Sequence, residues 1–183
     1  SEDRLSIEGR YRVSQKDWEK ATDVYKTLWR FFPDDVEYGL RLATVQVSAG
    51  KAKDALATVQ SMRQLPAPSS EDPRIDIAEA DAFGVLSDYK QQQQAYARAA
   101  KKARDAGARL LLARALLSEG STMITLGQTE HAIKMFEEAQ ALYTTAGDRS
   151  GIAVSLISLG TVLSQGNNLM AGMQRMEEAL AIS

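Results

Sequence analysis

A forty-residue repeat in the C-terminal third constrains this chain more than any other feature of its sequence. The recurring positions are Gly120, Ala132, Phe136 and 137–139 in the first copy, and Gly160, Gly172, Met176 and 177–179 in the second. A period of this length is typical of supersecondary units that stack in series, because one unit alone cannot bury its apolar face. The repeat therefore predicts an array rather than a single globular core.

The rest of the chain carries shorter and weaker copies of the same pattern. The N-terminal positions are Gly9, Trp18, Ala21, Tyr25 and Pro33, then Ala43, Lys53, Ala55, Val59 and Pro66; a degenerate middle copy has Ala80, Phe83, Tyr89, Tyr96 and Ala99. We expect five units near 2–35, 36–69, 72–107, 108–147 and 148–183 in one array. The opening Ser1-Glu2-Asp3-Arg4 lacks a start methionine, so we expect an array excised from a longer chain.

Each unit reads as two helices, because its apolar residues recur every three or four positions. Glycines at helix ends are expected to adopt positive φ at Gly50, Gly107, Gly127, Gly147 and Gly166. Asp72-Pro73 predicts a helix start. The expected helices span 2–15, 17–32, 36–49, 51–64, 73–86, 88–106, 108–126, 128–146, 149–165 and 168–182, with no strand.

Close contacts between helices are expected wherever the repeat places a small residue. These positions are Gly9, Ala21, Ala43, Ala55, Gly120, Ala132, Gly160 and Gly172. Large side chains should fill the gap between neighbouring pairs. We expect Trp18, Tyr25, Leu28 and Phe32 to form a buried seam between the first two units.

The repeat positions resemble those of the tetratricopeptide repeat (TPR) family. Gly9, Trp18, Ala21, Tyr25 and Pro33 match the family's small, aromatic, alanine, aromatic and proline positions, and Leu126-Gly127, Ala132, Phe136 and Ala139 match them without the proline. The resemblance implies an all-α, right-handed superhelical solenoid of about five helix pairs. The longer C-terminal period resembles repeats of large bacterial signalling proteins, including serine/threonine kinases and winged-helix transcription regulators.

Composition removes most catalytic and cofactor chemistry. The 183 residues include no cysteine and a single histidine, His131, so neither cysteine nucleophiles nor multi-histidine metal sites are available. The net charge of −2 argues against a nucleic-acid partner, and no apolar run is long enough to span a membrane. We expect no catalytic, cofactor or metal site, and therefore no enzyme, although the parent protein could carry a kinase domain elsewhere.

Three groups of charged or sulfur-containing residues each allow a functional interpretation and a simpler structural one. The pairs Glu137-Glu138 and Glu177-Glu178 are adjacent, so on a helix they diverge by about 100° and suit solvated faces better than acid–base catalysis. The basic segment 95–114 reads as a solvated face, with a weak anion site as the alternative. Methionines at 170, 173 and 176 favour a packing face over a recognition surface.

The resemblance also implies a ligand groove lined by the first helix of each unit. Its candidate residues are Ser6, Arg10, Glu37, Arg41, Thr44, Arg74, Asp81, Arg114, Ser121 and Thr161, joined by Ser14, Ser48, Ile77, Ser118, Thr125, Val154, Ser158 and Gln165. The family's carboxylate clamp of lysine, arginine and asparagine is missing from these positions. We therefore expect many modest hydrogen bonds to a ligand rather than capture of a C-terminal carboxylate.

Two functions remain open at this point. One is a protein-interaction or sensor module of a larger bacterial regulator, which binds a peptide or partner domain in the groove. The other is a structural spacer or scaffold that presents a kinase or DNA-binding domain and has no ligand of its own. The expected compartment is the cytoplasm, with the periplasm or a membrane tether elsewhere in the parent as the alternative.

The last expected helix, 168–182, has an apolar stripe and no polar capping face. Leu169, Met173, Met176 and Leu180 recur on one side, and the sequence stops at Ser183, where another unit would begin. We expect the natural protein to continue, and the exposed stripe to favour self-association through a two-fold contact of these helices.

Overall fold

A computed structural model describes residues 1–166 and 168–182, so Ser183 at the end of the fifth expected unit lies outside the described residues. The described residues form ten α-helices, one short 3₁₀ helix at Ser69–Glu71 and no strand, which confirms the expected all-α class. The helices are α1 (Glu2–Ser14), α2 (Trp18–Phe31), α3 (Val36–Ser48), α4 (Ala52–Met62), α5 (Pro73–Val85), α6 (Tyr89–Asp105), α7 (Arg109–Thr125), α8 (Thr129–Ala146), α9 (Arg149–Gln165) and α10 (Leu169–Ile182). Every boundary lies within two residues of its expected place.

The helices fall into two compact units, Ser1–Asp88 (unit 1) and Tyr89–Ser183 (unit 2). In each unit, helices that are consecutive along the chain pack against one another. The boundary between the units lies inside the third expected repeat, 72–107. The division into five repeats stays a prediction.

A polar N-cap begins α5, and glycines in the left-handed region lie just past the ends of four other helices, as the local sequence predicts. The carboxylate of Asp72 accepts a hydrogen bond from the backbone N–H of Arg74 at 2.8 Å, directly before Pro73. Gly50, Gly107, Gly127 and Gly147 have positive φ, as expected. The same expectation is wrong for Gly166, whose φ is −84°, because its N–H bonds back to the Val162 carbonyl and prolongs the helical turn.

Small residues set the approach of paired helices in both units. A Cβ on Gly9 would lie 2.8 Å from the Tyr25 ring, and one on Gly120 would lie 2.6 Å from the Phe136 ring. Each glycine precedes its large partner by sixteen residues. All eight small positions expected at close contacts are buried, which confirms this part of the pattern.

The expected aromatic seam is correct in its centre and wrong at its start. Tyr25 and Leu28 are fully buried in one cluster, and Phe32 packs against that cluster while half-buried. Trp18 is only half-buried, because it is the first residue of α2 and lies at the end of the helix pair. Trp29 instead packs against two apolar clusters of unit 1.

Candidate functional site

The candidate groove residues lie on the first helices of successive pairs, and each unit presents its own surface. In unit 1 we call this surface the first-helix face of unit 1; it comprises Ser6, Arg10, Glu37, Arg41, Thr44, Arg74 and Asp81, all exposed or half-buried. Ile77, expected on the same face, is wrong as a groove residue. Its side chain is 5% exposed because it points into the core of the unit.

Three of these residues are brought together by ion pairs. The Glu37 carboxylate accepts from Arg41 at 3.0 Å on its own helix and from Arg74 at 2.9 Å on α5. The Arg74 guanidinium also donates to Asp72, with an Nη2–Oδ2 distance of 2.8 Å, and these hydrogen bonds raise the pKa of Arg74 above its ordinary value. Both arginines are therefore neutralised within the protein, and an acidic ligand would have to compete with Glu37 for them.

Two other members of the first-helix face of unit 1, Arg10 and Thr44, lie outside this ion-paired group. Arg10 is exposed, and no acid of the described residues lies within ion-pair distance of it. The Thr44 hydroxyl donates to the Leu40 carbonyl at 2.9 Å. Beside the face, the Tyr38 hydroxyl donates to the Glu2 carboxylate at 2.6 Å, and this bond raises the pKa of Tyr38 to about 12. The structure thus gathers Glu37, Arg41 and Arg74 into one group, while Arg10 is left as a separate charge.

The corresponding surface of unit 2 is almost uncharged. This first-helix face of unit 2 lies on α7 and α9 and comprises Arg114, Ser118, Ser121, Thr125, Val154, Ser158, Thr161 and Gln165. The Ser121 hydroxyl donates to the Leu117 carbonyl at 3.0 Å, and the Thr161 hydroxyl donates to the Ile157 carbonyl at 2.8 Å. Because these hydroxyl protons are used within the helix, the oxygens offer mainly acceptor positions to a ligand.

Aliphatic side chains stand among the hydroxyls of this second face. Val154 and Ile157 on α9 are 45% and 51% exposed, and Leu110 on α7 is 51% exposed. Sequence reasoning placed Val154 in the groove and missed Ile157 and Leu110. Ile157 could have been found from its helical spacing to Val154 and Thr161.

A shallow depression of about 290 Å³ opens between α6 and α7, beside the hydroxyl row of the second face. It is lined by Gln92, Tyr96, Ser118, Ser121, Thr122 and Thr125. Sequence reasoning found the α7 residues and missed Gln92 and Tyr96, because it assigned the groove to first helices alone. A second hollow of about 530 Å³, lined in part by Arg109 and Leu110, lies where the α6–α7 turn meets the end of α8.

A buried carboxylate lies behind this row. Glu119 on α7 is 6% exposed and accepts a hydrogen bond from the Gln93 side-chain amide at 2.9 Å. Burial raises the pKa of the Glu119 carboxyl above its ordinary value, while the Gln93 bond and the charge of Arg104 act in the opposite direction. No pattern in the sequence marks this residue, since only packing distinguishes it from a surface glutamate.

The other chemical candidates occupy the helix surfaces. His131, Glu137 and Glu177 are exposed, while Glu138 pairs with Arg104 at 2.9 Å. That ion pair uses one charge of the basic segment 95–114, and Lys101 pairs with Asp105 within it.

The methionine row of α10 departs in part from expectation. Met176 packs against Gly160, whereas Met170 is 81% exposed and Met173 is 49% exposed. The expected packing face is therefore correct for Met176 alone of the three methionines.

Neither a metal-binding cluster nor a membrane-spanning helix occurs among the described residues. No cluster of three or more His, Cys, Asp or Glu side chains there has a metal-binding arrangement. Among the helices of 1–166 and 168–182, none combines the length and apolar character needed to cross a membrane.

Comparison with known proteins places the fold. No family model matches the chain, and no curated protein matches it. The solved structure of BtubC (BKLC) from P. vanneervenii has a TM-score of 0.83 at 16% identity, over 98% of this chain and 78% of that one. A Podosopora anserina kinesin light chain structure with nearly identical TPR-like repeats gives 0.70 at 12% identity, over 98% and 93%.

A third similar structure is a Rap protein complexed with competence and sporulation factor. Its TM-score is 0.73 at 16% identity, and the match covers 97% of this chain and 53% of the Rap chain. At these identities the likeness concerns the fold alone. The chain therefore has an all-α, TPR-like solenoid fold, as the resemblance implied.

Proposed function

We propose that this chain is a non-catalytic protein-interaction or sensor module of a larger bacterial signalling or regulatory protein. It binds a peptide or a segment of a partner domain along its first-helix faces. The proposed compartment is the cytoplasm. The proposal uses no cofactor, metal, nucleic acid or membrane insertion by this segment.

The first-helix face of unit 2 carries this proposal. Val154, Ile157 and Leu110 remain about half exposed there, although a structural helix could hold polar residues at the same positions. Exposed apolar side chains rimmed by polar groups are typical of binding surfaces. We infer a ligand segment with aliphatic side chains and backbone or amide donors, which matches the aliphatic side chains and the hydroxyl acceptors of this face.

The fold likeness supports the same class of work. One similar structure holds a Rap protein together with competence and sporulation factor. The comparison supports only the proposal that a repeat array of this kind carries a ligand surface.

A structural spacer is the alternative, and one observation favours it. Two arginines of the first-helix face of unit 1 are already paired with Glu37 and Asp72, as in a surface that needs no partner. A spacer tolerates charge reversal at Arg10, Arg41 and Arg114, whereas an interaction module loses affinity for its ligand.

Selection from a random peptide library displayed on phage tests the proposal. We expect enrichment of peptides with aliphatic residues and weakening of their binding by about tenfold or more in Ile157→Asp. Phe31→Asp is the matched control, because Phe31 is 62% exposed and lies in unit 1. Absence of enrichment, or equal loss in both variants, would favour the spacer.

A further inference from the structure

Arg114 is an exposed cation on the first-helix face of unit 2, and no acid neutralises it. Within 1–166 and 168–182, no carboxylate lies at ion-pair distance from its guanidinium. The neighbouring first helix, α9, contains no acidic residue at all. A cation on a surface without acids attracts an anionic ligand.

The first-helix face of unit 1 has the acidic partner that Arg114 lacks. On α3, Glu37 lies one turn before Arg41, and its carboxylate accepts from the Arg41 guanidinium at 3.0 Å. On α7, the residue one turn before Arg114 is Leu110, whose side chain is 51% exposed. A carboxylate for Arg114 must therefore come from a ligand.

A second hydrogen-bond donor lies beside Arg114. Tyr143 of α8 is 7% exposed, and its ring packs directly against Gly151 of α9. Its hydroxyl has no hydrogen-bond partner in the described part of the chain, although the oxygen itself is not fully buried. Burial raises the pKa of Tyr143 above its ordinary value, the charge of Asp148 adds to this effect, and the charge of Arg114 opposes it. The hydroxyl therefore stays protonated at neutral pH and remains able to donate.

Asp148 is the acid whose charge acts on this hydroxyl, and its carboxylate is already in use. It caps α9 by accepting a hydrogen bond from the backbone N–H of Gly151 at 2.9 Å. The positive N-terminal end of α9 stabilises this negative charge. Asp148 thus serves the helix end and leaves Arg114 without an ion-pair partner.

Aliphatic side chains stand beside these donors on the same face. The helices α7 and α9 contact one another, and α9 begins and ends forty residues after α7, so Val154 occupies the position on α9 that Arg114 occupies on α7. Val154 and Ile157 are 45% and 51% exposed. Axes of packed helices lie about 8–10 Å apart, which is the span of about three residues of an extended chain.

We propose that Arg114 and the Tyr143 hydroxyl bind the side-chain carboxylate of an aspartate or glutamate in an extended peptide ligand. An aliphatic side chain two or three residues away in the ligand packs on Val154 and Ile157. This inference rests on the proposed function, because it names the ligand chemistry of the same face. Hydrogen bonds from a guanidinium to a carboxylate are roughly twice as strong as neutral ones, so the acid fixes the register of the peptide.

Selection from random peptides fused through their C-termini to a phage coat protein tests this chemistry, because such peptides have no free C-terminal carboxylate. The unchanged chain should enrich peptides in which an acid lies two or three residues from an aliphatic residue. Arg114→Glu should instead enrich lysine or arginine in place of the acid. Enrichment of aliphatic peptides without an acid would overturn this proposal and leave the proposed function intact, whereas the absence of any enrichment would overturn both.

The affinity of one enriched acidic peptide, synthesised with an amidated C-terminus, then tests the role of Arg114. Leu110→Glu should weaken binding by about tenfold or more, because the new carboxylate pairs with Arg114 one turn later on α7. Leu110→Gln is the matched control, since it has the same shape without the charge and should lose much less affinity. Equal losses in the two Leu110 variants would overturn the proposal.

Two further variants separate the hydroxyl from general electrostatics. Tyr143→Phe should weaken the acidic peptide by about tenfold, and it should not change the affinity of the same peptide with its acid replaced by the corresponding amide. Lys134→Glu changes an exposed cation of α8 by the same charge as Arg114→Glu, and it should bind the acidic peptide like the unchanged chain. A loss in Lys134→Glu as large as that in Arg114→Glu would show a general charge effect and contradict the assigned site.

Discussion

Units 1 and 2 use the same packing device beneath different surfaces. In unit 1 Gly9 admits Tyr25, and in unit 2 Gly120 admits Phe136, with the same spacing along the chain. Above this shared core, unit 1 presents the ion-paired group around Glu37, while unit 2 presents hydroxyls and the half-exposed Ile157. The positions that set helix approach are separate from those that meet solvent, so a repeat can change its surface without changing its fold.

The largest expected effect tests whether the core is shared. Tyr25→Ala and Phe136→Ala should each lower the free energy of unfolding by about 3–5 kcal/mol, because each removes a ring that fills the space above a glycine. Urea unfolding followed by circular dichroism measures both. Phe31→Ala is the control, since its ring is 62% exposed. Losses as small as the control's in either unit would contradict a common core.

A smaller effect is expected where the core of unit 2 is overfilled. Ala132 is completely buried on α8, so Ala132→Leu should cost about 1–3 kcal/mol. Ala141→Leu, at an exposed position of the same helix, should leave the melting temperature nearly unchanged. If both variants melt alike, the assigned repeat register of α8 is wrong.

In unit 2, the buried carboxyl of Glu119 makes the stability of the fold depend on pH. The raised pKa of Glu119 means that folding favours its protonated form, so stability falls as pH rises from the ordinary glutamate range through the raised pKa. Glu119→Gln should therefore stabilise the protein at neutral pH relative to the unchanged chain. The gain should vanish at a pH below the ordinary glutamate pKa, and thermal melts across pH would reveal a gain that persists there.

The smallest effect should separate the two first-helix faces. Glu37→Gln removes the shared partner of Arg41 and Arg74, and exposed pairs of this kind contribute under about 1 kcal/mol. Its cost should shrink as salt screens the charges of the unchanged protein. Thr161→Val on unit 2 should show no salt dependence, and equal salt responses in the two variants would remove the proposed contrast.

Local signals in the sequence predicted most of the fold. Helix ends followed from Asp72-Pro73 and from the four left-handed glycines, because capping and backbone conformation depend on neighbouring residues alone. The prediction of a positive φ at Gly166 was wrong because glycine permits a positive φ without requiring it. The predicted burial of Trp18 was wrong because its position at the start of α2 limits the burial that its size suggests.

The candidate site was less predictable from the same information. Arg41 is half-buried and Thr161 is exposed, as the helical period predicts, and their place in a ligand groove stays a prediction. The ion pair between Glu37 and Arg74 joins residues far apart in sequence, and long side chains have many rotamers from which only a packed neighbour selects one. Gln92 and Tyr96 were missed because a second helix contributes to the depression.

The ten helices and the pairing of small with large residues could be predicted from the amino-acid sequence, because both depend on short-range backbone preferences and a fixed repeat. Tertiary structure alone decided the pairing of Arg74, the burial of Glu119 and the place of the Tyr143 hydroxyl. Those outcomes depend on which side chains meet across helices, where burial and electrostatic interaction change with distances that no local pattern encodes.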